Sequence, residues 1–211
     1  MRASELIDPA ARQHLEAVVL ESERHTVGEI VVAVVSACED DHRVGWRLGV
    51  VAAAAALVGT SLFVPGAPWW ALLAIQATAF CVAYGMTRLP AVRRQLLPAD
   101  LIEARVQGRA RRCFREQGLT RTRGRTGILL FVTLLERRVV VLADEGIDRV
   151  LGPGETWGQV VDLVTAGLRA GRGVDGLEAA VRRCGEILAQ HAPRSTERGI
   201  DELPNAIVVE D

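Results

Sequence analysis

The sequence predicts an α/β protein, a small mixed sheet with flanking helices into which a two-helix transmembrane hairpin is inserted. Three observations carry this. Two long apolar runs lie between Trp46 and Met86, three short β-branched runs lie outside them, and segments of helical period separate those runs. At 211 residues, of which 49% are hydrophobic, the chain can hold one compact domain and a smaller accessory element. Its formal net charge of −1 points to no strongly acidic or basic partner.

The apolar runs decide the class. Trp46 to Val64 and Trp69 to Met86 are each long enough to span roughly 28 Å as helices, close to the hydrocarbon thickness of a bilayer. Arg47 is the one charge in them, near an end, where its long side chain can reach the headgroups. Trp46, Trp69, Trp70 and Tyr84 lie at or near the ends, as an aromatic belt requires. Pro65-Gly66-Ala67-Pro68 links the runs as an uncharged turn, while Arg43, Arg47, Arg88, Arg93 and Arg94 flank the open side. That asymmetry predicts an inner-membrane hairpin with both chain ends cytoplasmic. About 170 residues remain outside it, too few to sheathe two uniformly apolar helices as a buried core. The N-terminus carries no apolar signal core.

Around the hairpin, Asp8 to Arg24 reads as a helix, capped by Asp8 with Pro9 in its first turn. Glu29 to Ala37 reads as a strand, apolar enough to be central and covered on both faces. Asp100 to Gln117 is a helix with a buried stripe of Ile102, Val106, Ala110, Cys113 and Phe114, and Gly118 ends it. Its other face, with Arg105, Arg109, Arg111, Arg112 and Arg115, reads as solvated or facing lipid headgroups. It lacks the interleaved aromatics of a nucleic-acid surface, so no nucleic-acid partner is expected. Ile128 to Thr133 and Arg138 to Ala143 form an antiparallel pair around Leu135-Glu136-Arg137. Two further helices follow, near Thr156 to Ala170 and Gly176 to Ala189.

This order divides the chain into 1–44, the first part of a discontinuous α/β domain; 45–88, the hairpin; 89–192, the second part; and 193–211, a flexible tail. A strand, a crossover helix and a second strand make a right-handed parallel unit. The third strand then returns, so Glu29, Thr126-Gly127 and Asp144-Glu145 fall on one rim of the sheet. Glu39 to His42 and Glu136 fall on the opposite edge.

VGEIVVAVV (Val27–Val35), TGILLFVTLLERRVVVLADEGI (Thr126–Ile147) and DGLEAAVRRCGEILA (Asp175–Ala189) together resemble the TPM-domain family. That family includes a thylakoid-lumen phosphatase-like protein, a photosystem II repair protein and a receptor modulator. Bacterial relatives of this subtype carry a transmembrane pair after the first strand. The resemblance implies a Rossmann-like α/β/α fold, with Gly28, Glu29, Thr126, Gly127, Asp144 and Gly146 as its motif positions. For some members it implies acid phosphatase activity or divalent-metal binding at acidic loop residues; for others, a role in assembly or repair. Where the catalytic members carry Gly-Tyr-Gly after the third strand, this chain has Ala143-Asp144-Glu145-Gly146.

For chemistry, Asp144, Glu145 and Glu29 are the candidate ligands of Ca²⁺ or Mg²⁺, since carboxylate oxygens suit hard cations. Gly146 is expected to supply an unusual backbone angle. The residues expected at the membrane interface are Trp46, Trp69, Trp70, Arg47 and Arg88. The histidines are scattered, the four cysteines have no CxxC spacing, and no GxSxG or Walker-type loop occurs. The reading is a membrane-anchored module that binds a protein partner. A metal-dependent acid phosphatase is the alternative.

Overall fold

The computed structural model describes residues 2–38, 42–89, 92, 99–122, 124–149, 155–193 and 207–211. The predicted junction at Glu39-Asp40-Asp41, most of the segment after the hairpin, the turn Gly152-Pro153-Gly154 and residues 194–206 lie outside them. The chain forms two compact units, Met1–Cys38 with Ile102–Asp211, and Glu39–Leu101.

In the first unit a short helix α1 (Ala3–Leu6) precedes α2 (Pro9–Glu23). Asp8 caps α2 by accepting from the Ala11 amide at 2.7 Å, with Pro9 in the first turn. Strand β1 (Glu29–Val35) follows, buried at all seven positions. The helix after the hairpin, here α5 (Ala99–Glu116), leads through a 3₁₀ turn, Leu119–Arg121, into β2 (Gly127–Thr133). Strand β3 is Arg138–Ala143, followed by the short α6 (Glu145–Asp148), then α7 (Glu155–Arg169) and α8 (Gly173–His191).

The sheet order is β3-β2-β1-β4. Strands β1 and β2 run parallel from Glu29 opposite Gly127 to Val35 opposite Thr133. Strand β3 returns antiparallel, with Ala143 opposite Ile128. Alternate residues feed two cores. Ile30, Val32, Val34, Ile128 and Leu130 pack with α2 and α8 on one face. Val31, Ala33, Leu129 and Phe131 pack with Val106, Ala110 and Phe114 of α5 on the other. A strand between two apolar layers needs apolar residues at every position, which is why β1 and β2 read as continuous runs.

The fourth strand corrects the expectation of a flexible tail for its last residues, 207–211. Val208–Glu210 forms β4, parallel to β1, with Ala33 opposite Val208 and Val35 opposite Glu210. The Ser36 amide donates to the Glu210 carbonyl at 2.8 Å. Three apolar residues in a polar stretch are too short to announce a strand. What orders them is the edge of β1, far away in sequence.

The second unit holds α3 (His42–Phe63) and α4 (Trp69–Met86), two helices long and apolar enough to cross a membrane. Gly66 turns the chain between them at φ +93°. At the open end Gly45 lies against Tyr84 and Thr87, and Gly49 lies against Phe80.

Candidate functional site

The sheet register brings the predicted rim residues together. Glu29 pairs with Gly127, and the Gly127 carbonyl accepts from the Asp144 amide at 2.9 Å. The Thr126 hydroxyl donates to the Val27 carbonyl at 3.3 Å, and the Gly28 amide donates to the Thr26 hydroxyl at 3.0 Å. Gly28, Glu29, Thr126, Gly127 and Asp144 therefore share one end of the sheet. At the other end Glu136 accepts from the Cys38 amide at 3.2 Å.

Asp144 is buried and caps α6, accepting from the Glu145 amide at 2.8 Å through Oδ1. Its Oδ2 is buried and has no hydrogen-bond partner among the described residues. The Arg125 guanidinium lies 3.7 Å from Asp144 Oδ1 and 3.6 Å from Glu145 Oε2. Arg125 itself adopts φ +51°, a conformation no sequence pattern announces. Glu29 is buried at the start of β1.

Ca²⁺ takes six to eight oxygen ligands. Here a guanidinium already stands beside both loop carboxylates. No three of His, Cys, Asp and Glu come together as a ligand set among the described residues. The side chains as placed do not make a divalent-cation cage.

Gly146 differs from expectation. Its backbone angle is ordinary: among the described residues the positive-φ glycines are Gly66, Gly118 and Gly171. Its requirement is space: a Cβ there would lie 2.4 Å from the carbonyl oxygens of both Gly124 and Arg125. The Gly146 amide donates to the Arg125 carbonyl at 2.9 Å, so α6 is fastened to the loop before β2.

The arginine face of α5 is also more than a solvated surface. Arg109 is largely buried and pairs with Glu116 at 3.3 Å and with Glu210 of β4. Burial pulls its pKa down, but the two carboxylates outweigh that and hold it above the ordinary arginine value. Arg111 and Arg115 instead border an open cleft of about 390 Å³ with Phe114, Leu142 and Ala143.

Sequence reasoning missed Glu23, whose buried carboxylate accepts from the Ile30 amide at 2.6 Å. A glutamate in the last turn of a helix gives no local sign of this. In the hairpin, Trp46, Trp69 and Trp70 are 59%, 73% and 62% exposed, and Arg47 is exposed. Arg88 donates to the Tyr84 hydroxyl at 2.9 Å and lies over its ring.

No family model and no curated protein matches the chain. Among solved structures, it is similar to the NMR structure of the BA42 protein from the psychrophilic bacterium Bizionia argentinensis sp. nov. The identity is 18% and the TM-score 0.59, over 96% of this chain and 93% of that one. At that identity the likeness is one of fold: a mixed α/β chain with a four-stranded sheet.

Proposed function

We propose that this chain is a TPM-type, Rossmann-like module held at the inner membrane by its hairpin, with both ends cytoplasmic, and that it binds another protein. The observation that carries the reading is the contrast between two surfaces. Helices α3 and α4 expose large apolar side chains along their length, among them Val50, Leu62, Phe63 and Leu73, as a lipid-facing hairpin does. The sheet rim, by contrast, is closed by its own hydrogen bonds and by Arg125, with no convergent ligand set among the described residues. An anchored domain of this kind acts through its surfaces. The tagged full-length chain, purified in mild detergent, is expected to retain a recurrent protein in near-stoichiometric amount, identified by mass spectrometry. Purification of the chain alone under all mild conditions would count against the reading.

The metal-dependent acid phosphatase reading has one observation in its favour, the buried and unpartnered Asp144 Oδ2. If a divalent cation completes that site with Glu145 and Glu29, Ca²⁺ or Mg²⁺ raises the melting temperature, because a ligand selective for the native state stabilises it. Asp144→Asn with Glu145→Gln then abolishes the rise. Identical melting in metal and in chelator removes this reading.

A further inference from the structure

The cleft between α5 and β3 is not used by the rim. Arg111 and Arg115 stand at i and i+4 on α5, both exposed, and neither has an acidic partner among the described residues. Nearby carboxylates are engaged elsewhere: Glu116 and Glu210 with Arg109, and Glu103 with Arg138 at 3.6 Å. Two like charges at this spacing repel, so an anion that reaches both is favoured. Phe114, only 7% exposed, with Leu142 and Ala143 gives the cleft an apolar lining. Strand β3 is also a sheet edge. It has β2 on one side and no strand on the other among the described residues, and five of its six positions are partly or fully exposed, whereas β1 and β2 are wholly buried. Such an edge offers a row of backbone donors and acceptors to an added strand.

We propose that this cleft takes an extended acidic segment of a partner protein, which adds as a fifth strand on β3 and presents carboxylates to Arg111 and Arg115. The spacing suits it. Alternate residues of a strand are about 6.7 Å apart. Side chains at i and i+4 of a helix start about 5–6 Å apart. Successive acidic residues on one face of the incoming strand therefore meet successive guanidiniums. Glutamate stems on that face cross Phe114 and Leu142, while the residues between them point to the opposite face of the sheet. The proposal rests on the protein-binding reading above and names the chemistry of the partner.

The test uses the full chain in neutral nanodiscs and a fluorescent seven-residue peptide of alternating valine and glutamate. The peptide is expected to bind wild type, with affinity falling about tenfold for R111E/R115E, as two exposed ion pairs are lost and reversed. R111Q/R115Q, with no reversed charge, should show a smaller loss. A valine–lysine peptide should bind R111E/R115E better than wild type. Hydrogen exchange must slow at residues 138–143 on binding, since charge attraction alone does not protect strand amides. Failure of the valine–glutamate peptide to bind wild type, equal binding to R111E/R115E, or binding without that protection overturns the proposal. So does protection induced by phosphatidylglycerol in the nanodisc and not by the peptide, which would assign the cleft to headgroups. If R111E/R115E still retains its natural partner in full yield, the protein-binding reading stands and this cleft is removed from it.

Discussion

The Gly146 amide and the Arg125 carbonyl meet at 2.9 Å, and any side chain at Gly146 would occupy the same space as that oxygen. Gly146→Ala is therefore expected to destabilise the fold by about 1–3 kcal/mol, the usual cost of forcing backbone apart in a packed site. Gly158→Ala is the control. It lies in α7 with open space around it and should be neutral or stabilising by up to about 1 kcal/mol. Urea unfolding of the two variants measures the difference, and equal midpoints would refute the packing argument.

Glu23 holds the start of β1 to the end of α2 through the Ile30 amide. Glu23→Ala leaves that buried donor without its acceptor and should cost about 1–3 kcal/mol. Glu23→Gln keeps an acceptor oxygen and should cost less. A loss of equal size in both variants would show that the charge, not the hydrogen bond, matters.

Acid should loosen β4 first. The Ser4 hydroxyl donates to Asp211 at 2.6 Å, and the Ser4 amide and Ser36 hydroxyl donate as well, which holds the Asp211 carboxyl below its ordinary value. A depressed carboxyl contributes stability above its unfolded pKa and loses it as pH falls through the folded pKa. The protection factor of the Ser36 amide, which is bonded to Glu210, should therefore fall in acid before those of β2 do. Asp211→Asn should remove most of that pH dependence. Simultaneous loss in β2 and β4 would contradict the expectation.

Two thiols should be inert while the domain is folded. Burial pushes Cys184 up to about 12 and Cys113 up to about 11, the latter against the opposing charge of Arg109. Thiolate is the reactive form, so iodoacetamide at neutral pH should modify neither until denaturant reaches the unfolding transition. Early modification of Cys184, located by peptide mapping, would show that α8 opens locally.

Orientation can be read with single cysteines in a Cys-free variant. Gly66→Cys should react with an impermeant reagent applied to intact cells, and Ser195→Cys should not. Labelling at position 195 would reverse the orientation.

Local pattern was a reliable guide wherever a segment's neighbours in sequence decide its state. Asp8-Pro9 marks the start of α2, and the unbroken apolar runs of β1 and β2 mark strands covered on both faces. The strand order then follows from connection rules, and with it the meeting of Glu29, Gly127 and Asp144 at one end. Contacts between distant segments were not legible. Val208–Glu210 is a strand because β1 offers an edge, and the half-buried Arg109 is paired there because β4 brings Glu210 to it. Arg125 beside Asp144 depends on a left-handed backbone angle that arginine has no tendency to adopt, so the cation at the acidic loop was invisible.

The place of the hairpin in the chain bears on the order of assembly. Both strands that flank β1 are synthesised after α3 and α4, so β1, which α2 covers on one face, cannot be paired or covered on its other face until the chain beyond the hairpin exists. An unpaired apolar strand waiting through synthesis is an aggregation hazard. The hairpin shortens that wait in another sense. Its two ends meet where Gly45 touches Thr87, so once it has closed, the long stretch between β1 and α5 acts as a much smaller loop. Entropy that a free chain of that length would lose on bringing β1 to β2 has then already been lost in the hairpin. The same two helices thus serve as a clasp that sets the search distance for the sheet, and lengthening the turn at Pro65–Pro68 should leave that distance, and the refolding rate, unchanged.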